Sequence, residues 1–371
     1  LKIILFQKLG ANIFKTTPFA QLRQIKINNS LIELLFAVIL LCYFDKRRSF
    51  MLIMLAVALL MSMVLCLLFG VPYIDFLRKK TIGQYILDVA PEAHAKKAGT
   101  PTTGGVFIIA AVIIASIITL FMAQHMDTSA WIILITLLFM ALAGFQDDYL
   151  KIKGHENKGL SPKGKLVRQI LIALIPTIYA MNTYGTVITL GSHTFDLGIL
   201  YPIFTVFVVT GASNAYNLTD GLDGLAAATG IPAFAACGYL ALRDGHDAAA
   251  IIAATVIGAL IGFLRYNKPK AQVFMGDTGS LALGGLLGTL AVIGRCELLL
   301  ALFGGIFVVE TLSVILQVTS FKLTGKRIFK MSPIHHHFEL CGHSELRIVK
   351  EFAITSLIFS VAAVLVYYWM S

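Results

Sequence analysis

The chain is predicted to be an all-α integral membrane protein with ten transmembrane helices and a short external hairpin. Three observations predict it. Of 371 residues, 57% are hydrophobic and only 13% are charged, far outside the composition of a water-soluble domain. Apolar stretches of spanning length recur along almost the whole chain, and helices are the only spanning elements that such lengths allow. The lysines and arginines between them fall in alternate loops, as the positive-inside rule requires of a polytopic protein.

Residues 1–45 read as an N-terminal extension. Lys2, Lys8, Lys15, Arg23 and Lys26 make it basic, and it is either an interfacial helix or irregular. The apolar run 31–44 falls short of the ~20 residues that cross a bilayer. From 46 to 371 a single ten-helix domain is expected. Its spans lie near 50–70, 104–124, 130–146, 166–185, 199–213, 224–242, 248–264, 279–294, 297–321 and 351–370. The 186–198 connection alternates apolar and polar residues around Gly191 and Ser192, which predicts a hairpin. Tyr367, Tyr368 and Trp369 suit an interfacial aromatic belt.

Loops after odd-numbered spans carry Arg78, Lys79, Lys80, Lys96 and Lys97, then Lys151, Lys153, Lys158, Lys163 and Lys165. They continue with Arg265, Lys268, Lys270, Lys322, Lys326, Arg327, Lys330, Arg347 and Lys350, whereas the intervening loops hold only Arg243 and Arg295. The basic set is assigned to the cytoplasm, and both ends of the ten-span domain to the outside. Lys46, Arg47 and Arg48 oppose this, and an added crossing at 31–44 would place the extreme N-terminus inside. The net charge of +10 thus reads as topology, not as affinity for nucleic acid. Cys42, Cys66, Cys237, Cys296 and Cys341 have no zinc-knuckle or disulfide spacing and read as packed thiols.

The chemistry lies in the same alternate loops. Asp147 and Asp148 end the third span, and Asn217, Asp220 and Asp223 follow the fifth in NAYNLTDGLDG. Their spacing of three puts these last three on one face if the stretch coils. Asp277 follows the seventh span, and His335, His336 and His337 follow the ninth. Five carboxylates are therefore expected to meet around one divalent cation at the cytoplasmic face. Oxygen-rich donors suit Mg²⁺, which uses one or two carboxylates together with substrate phosphates. Neighbouring lysines suit a polyanion, and a metal with cations stabilises phosphoryl-transfer charge. Residue by residue, blander roles compete: Asp147 and Asp148 as a headgroup-level cap, Asp277 as a turn or N-cap, the lysines as topology signals. Three consecutive histidines point in different directions on a helix, which argues against one zinc site and for one or two phosphate donors beside a structural member. Glu310, inside the ninth span, reads as a structural hydrogen-bonder. An ion-coupled transporter would hold its charges near the midplane instead of at span ends.

The motifs KAGTPTTGG at 97–105, GFQDDY at 144–149, NLTDGLDGLA at 217–226, AQVFMGDTGSLALGG at 271–285 and PIHHHFE at 333–339 resemble those of the phospho-N-acetylmuramoyl-pentapeptide transferases, the MraY family. This family belongs to the polyprenyl-phosphate N-acetylhexosamine-1-phosphate transferase superfamily, and the likeness covers about residues 46–371. The resemblance implies a homodimer in the bacterial cytoplasmic membrane, among its lipids, with a Mg²⁺-dependent active site facing the cytoplasm. The implied reaction moves phospho-MurNAc-pentapeptide from UDP-MurNAc-pentapeptide to undecaprenyl phosphate, giving lipid I and UMP in peptidoglycan synthesis. It further implies that Asp277 ligates Mg²⁺ and that Asp147, with Asp148 beside it, deprotonates or positions the lipid phosphate. Asn217 and Asp220 would organise the metal and diphosphate. Phe274 and Asp223 would hold the uracil near Gly221 and Leu222. Lys97, Thr102, Lys151 and Lys165 would contact nucleotide or phosphates, and His335 and His336 the diphosphate or sugar. A sister enzyme that loads GlcNAc-1-phosphate from UDP-GlcNAc is the nearest alternative, less favoured by the histidine run.

Overall fold

A computed structural model describes residues 46–80, 99–154, 159–190 and 192–371. The expectations for residues 1–45 and for Lys96, Lys97 and Lys158 lie outside the described residues. Ile53–Ser371 forms one compact unit, and Leu1–Leu52 is assigned to another.

Among the described residues ten helices are long and apolar enough to cross a membrane, one for each predicted span. In chain order the elements are α1 (Lys46–Lys79), α2 (Gly105–Ala123), α3 (Thr128–Gly154), α4 (Pro162–Tyr184), the strands β1 (Val187–Leu190) and β2 (His193–Asp196), and α5 (Tyr201–Thr219). They continue with α6 (Leu225–Arg243), α7 (Asp247–Asn267), α8 (Gly276–Ile293), the short α9 (Leu300–Phe303), α10 (Gly305–Thr324), the short α11 (Ile334–Leu340) and α12 (Glu345–Met370). The chain is a multi-pass membrane protein.

Several spans run past their predicted limits, the first to Lys79 and the fifth to Thr219 among them, and the third and ninth differ in form as well. α3 does not end before Asp147 but continues to Gly154, because Gln146 to Lys153 are all competent helix residues with no glycine or proline to stop them. Asp147, Asp148 and Lys151 therefore belong to a helix, with Lys151 one turn beyond Asp147. The ninth span is split at Gly304, where the chain turns from α9 into α10.

α8 is the axis of the bundle. From Thr278 to Ile293 every residue is buried, and α3, α5 and α2 pack against it. In a membrane the hydrophobic effect does not separate helix from lipid, so small residues that let backbones approach must drive such contacts. Gly284 and Gly288 of α8 face Ser213 and Val209 of α5 in this way. The Ser213 hydroxyl donates to the Leu281 carbonyl at 2.9 Å, and the Asn214 amide donates to Gln169 of α4 at 2.9 Å. Outward faces of the bundle carry the large apolar side chains that lipid demands, such as Leu60 and Leu68 of α1 and Leu357 and Leu365 of α12.

The predicted hairpin is present. β1 and β2 pair antiparallel, with Val187 opposite Asp196 and Leu190 opposite His193. It closes the end of the bundle opposite the acidic motifs: Thr189 donates to the Arg295 carbonyl at 3.2 Å and the Ser192 amide to that of Met370 at 2.8 Å.

Candidate active site

The acidic motifs converge at the other end, and α8 is what brings them together. Its first turn carries Asp277, and α3 crosses that turn at Gly144, where any Cβ would overlap the Asp277 carbonyl. The close crossing sets Asp147 and Asp148 beside the start of α8. From there the two aspartates part. Asp148 accepts three hydrogen bonds from α8: from the Asp277 amide at 3.0 Å, the Thr278 amide at 2.9 Å and the Thr278 hydroxyl at 2.5 Å. It is an N-cap supplied by a neighbouring helix, satisfying the amides that a helix start leaves open.

Asp147 faces Asp277 across two lysines. Lys151 Nζ lies 2.7 Å from Asp147 Oδ2 and 3.1 Å from Asp277 Oδ2; Lys165 Nζ, from α4, lies 3.4 Å and 2.6 Å from the same two atoms. The Leu160 amide donates to Asp147 Oδ1 at 2.7 Å and fastens the segment before α4. Asn217, in the last turn of α5, donates to Asp277 Oδ1 at 3.0 Å and to the Ser280 hydroxyl at 2.7 Å. Ser280 in turn donates to the Gly276 carbonyl at 2.9 Å. Three spans thus fix the Asp277 carboxylate.

Asp220 caps α5 and, among the described residues, its carboxyl accepts no hydrogen bond. Burial pushes it well above the usual carboxylate range, and the charges of Asp277, Asp148 and Asp223 push the same way. A carboxyl in that position gains from a nearby cation.

Asp223 departs from the face that the spacing predicts, because α5 stops at Thr219 and the chain turns. Its Oδ2 accepts from the amides of Lys270 and Ala271 at 3.1 and 2.9 Å, and its own amide donates to Glu345 at 2.7 Å. Leu222 is buried beneath this turn, and Gly221 packs against His335. Asn267 ties the turn to the next motif, accepting from the Gly224 amide and donating to the Val273 carbonyl, each at 2.9 Å. Phe274 is half-buried, held by backbone bonds to Pro101 and Gly104, each 2.8 Å, and Thr102 lies buried alongside.

The histidine run forms α11, and its members separate as helix geometry requires. His335 is fully buried, its Nδ1 3.0 Å from Glu310 of α10. His336 Nδ1 lies 2.6 Å from Glu339. His337 accepts from the Lys330 amide at 3.1 Å and stacks edge-on against Phe329, so it is the structural member.

The expectation that five carboxylates meet around one cation is therefore corrected. All five reach one end of the bundle, but Asp148 and Asp223 are spent on backbone amides. Among the described residues no three acidic or imidazole groups converge on a point as a ready metal cage. Thr278, Ser280, Asn267 and Glu345 complete the site and were not singled out from sequence. Ser280 alone had a signal, standing three residues after Asp277 on the same helical face.

Comparison with known proteins shows the family. The profile of glycosyl transferase family 4 matches residues 130–295, which hold both ends of the lysine-bridged pair. The chain is 45% identical over 315 residues to the phospho-N-acetylmuramoyl-pentapeptide-transferases of Bacillus licheniformis and of Bacillus subtilis (strain 168), covering 84% of this chain and 97% of each relative. It is 44% identical over 316 residues to that of Shouchella clausii, with the same shares. With acidic motifs, fold and relatives in accord over most of its length, the chain belongs to the phospho-N-acetylmuramoyl-pentapeptide transferase family.

Proposed function

We propose that this protein transfers phospho-MurNAc-pentapeptide from UDP-MurNAc-pentapeptide to undecaprenyl phosphate, forming lipid I and releasing UMP. The observation that carries the reading is the Asp147–Asp277 pair bridged by Lys151 and Lys165, at the end of the bundle where the acidic motifs gather. Two anionic groups and two cations there suit a phosphate arriving from each substrate. Lys-rich loops at the same end support an orientation towards the cytoplasm in a bacterial inner membrane. The active form is proposed to be a homodimer.

Mg²⁺ fits the donor chemistry. Asp277 would hold it, with Asp147 beside it across the two lysines, and few protein ligands beside substrate phosphates is the usual Mg²⁺ arrangement. Bound there, the ion would neutralise charge on the diphosphate. The chain's own groups do the rest. Lys151 and Lys165 hold phosphate oxygens, with Thr102 alongside, while Phe274 stacks on the uracil and Asp223 fixes the turn around Gly221 and Leu222. His335 and His336 face the sugar side of the diphosphate. Asp147, already an acceptor, takes or orients the proton of the lipid phosphate, which then attacks directly; positioning alone can supply much of the barrier reduction.

Purified protein supplied with undecaprenyl phosphate and Mg²⁺ should release UMP from UDP-MurNAc-pentapeptide and not from UDP-GlcNAc. Release from UDP-GlcNAc alone would assign the chain to the sister reaction.

A further inference from the structure

Glu310 is an ionisable residue inside a membrane span and no part of the lysine-bridged centre. Such a residue is costly to bury and normally serves a site. Its side chain and that of His335 are both fully buried, joined Oε1 to Nδ1 at 3.0 Å. Among the described residues, each keeps one buried polar atom without a hydrogen-bond partner, Glu310 Oε2 and His335 Nε2. The free nitrogen points at Gly221: a Cβ built there would overlap Nε2 before any other atom. Only a glycine lets the imidazole edge reach the turn between Asp220 and Asp223. The ring is further confined by His336, whose centroid lies 4.1 Å away.

A carboxylate on one ring nitrogen fixes the tautomer and the direction of the other. With Nδ1–H donated to Glu310, the imidazole cannot flip, and Nε2 is aimed into the Asn217–Asp223 turn. We propose that Glu310 is a positioning residue for the transferase, acting through His335 to hold Nε2 at the diphosphate. The inference rests on the transferase reading above. It makes a buried residue on α10, far in sequence from the acidic motifs, part of the catalytic apparatus without contact to substrate.

The test is a double-mutant cycle on the purified enzyme, with UMP release as the readout. Glu310→Gln should lower kcat about 10- to 100-fold, the usual effect of losing a partner that orients a functional histidine. KM for UDP-MurNAc-pentapeptide should stay within about threefold, since only the transition-state contact is disturbed. Glu310→Gln/His335→Gln should be no slower than His335→Gln, because one residue works through the other. Should the single Glu310 variant fail to fold, the comparison of His335→Gln with the double variant remains, its two amides being able to pair. A Glu310→Gln enzyme within twofold of wild type, or a double variant slower than His335→Gln by a further tenfold, would overturn the proposal. Wild-type enzyme that releases no UMP would sink the transferase reading itself.

Discussion

Asp147 and Asp148 are neighbours in sequence with separate jobs, and the difference comes from what each meets. Asp148 meets a helix start and is saturated by three donors. Asp147 meets two ammonium groups and another carboxylate. Asp148→Asn should therefore act through Asp277, since an amide offers one acceptor where two are used and turns a donor towards an N–H. The rate of UMP release should fall ten- to hundredfold while UDP-MurNAc-pentapeptide binding, followed by calorimetry, changes little. A variant with normal turnover would show the cap to be dispensable. At the opposite end, Glu297 is 3% exposed and, among the described residues, neither carboxyl oxygen has a hydrogen-bond partner. Burial pushes it from an ordinary 4.5 up to about 7. Between those values the folded state keeps a proton that the unfolded chain has lost, so stability falls as pH rises through the window and levels off above it. Glu297→Gln should remove that slope and leave the protein more stable at pH 8 by about 3 kcal/mol. Thermal unfolding in detergent at pH 4.5, 6 and 8 reads this directly, and an unchanged slope would contradict it.

At the scale of elements, α8 joins fold to chemistry. Its glycines let α5 and α3 close on it, and the same closeness delivers Asn217 and Asp147 to Asp277. An alanine at Gly284 would press on Ala212, Ser213 and Tyr216 of α5, which are main-chain or near-main-chain atoms that cannot swing aside. The cost should be about 1–3 kcal/mol, the range for overpacking a tight interior. Alanine at Gly211 meets open space and should be neutral or slightly stabilising in the same unfolding assay. Equal losses at both positions would mean that helix propensity, not packing, decides. Spans, hairpin and alternate basic loops were legible because each rests on a local pattern: run length, period-two alternation, charge bias. The end of α3 was not. A drop in hydropathy at Gln146 ends the apolar run, but the helix itself runs on to Gly154 because nothing there breaks it.

For the whole molecule, the sequence showed which residues carry the chemistry more readily than which ones touch. Asp147, Asp220 and Asp277 stood out as carboxylates at span ends, and all three reach one end of the bundle. The separation of Asp148 and Asp223 from them depends on where backbone amides are left unpaired, which only tertiary structure decides. The role of Glu310 was hidden for the same reason, its partner His335 lying on a different helix. The central claim is that α3, α4, α5 and α8 build a single phosphate centre around Asp277. The most direct measurement is anomalous diffraction from crystals of the protein soaked with Mn²⁺ and a uridine diphosphate. The account predicts one ion within about 2.2 Å of the Asp277 carboxylate, beside Asp147 and in contact with phosphate oxygens. An ion bound away from Asp277, or Asp147 and Asp277 opening to opposite ends of the bundle, would contradict it.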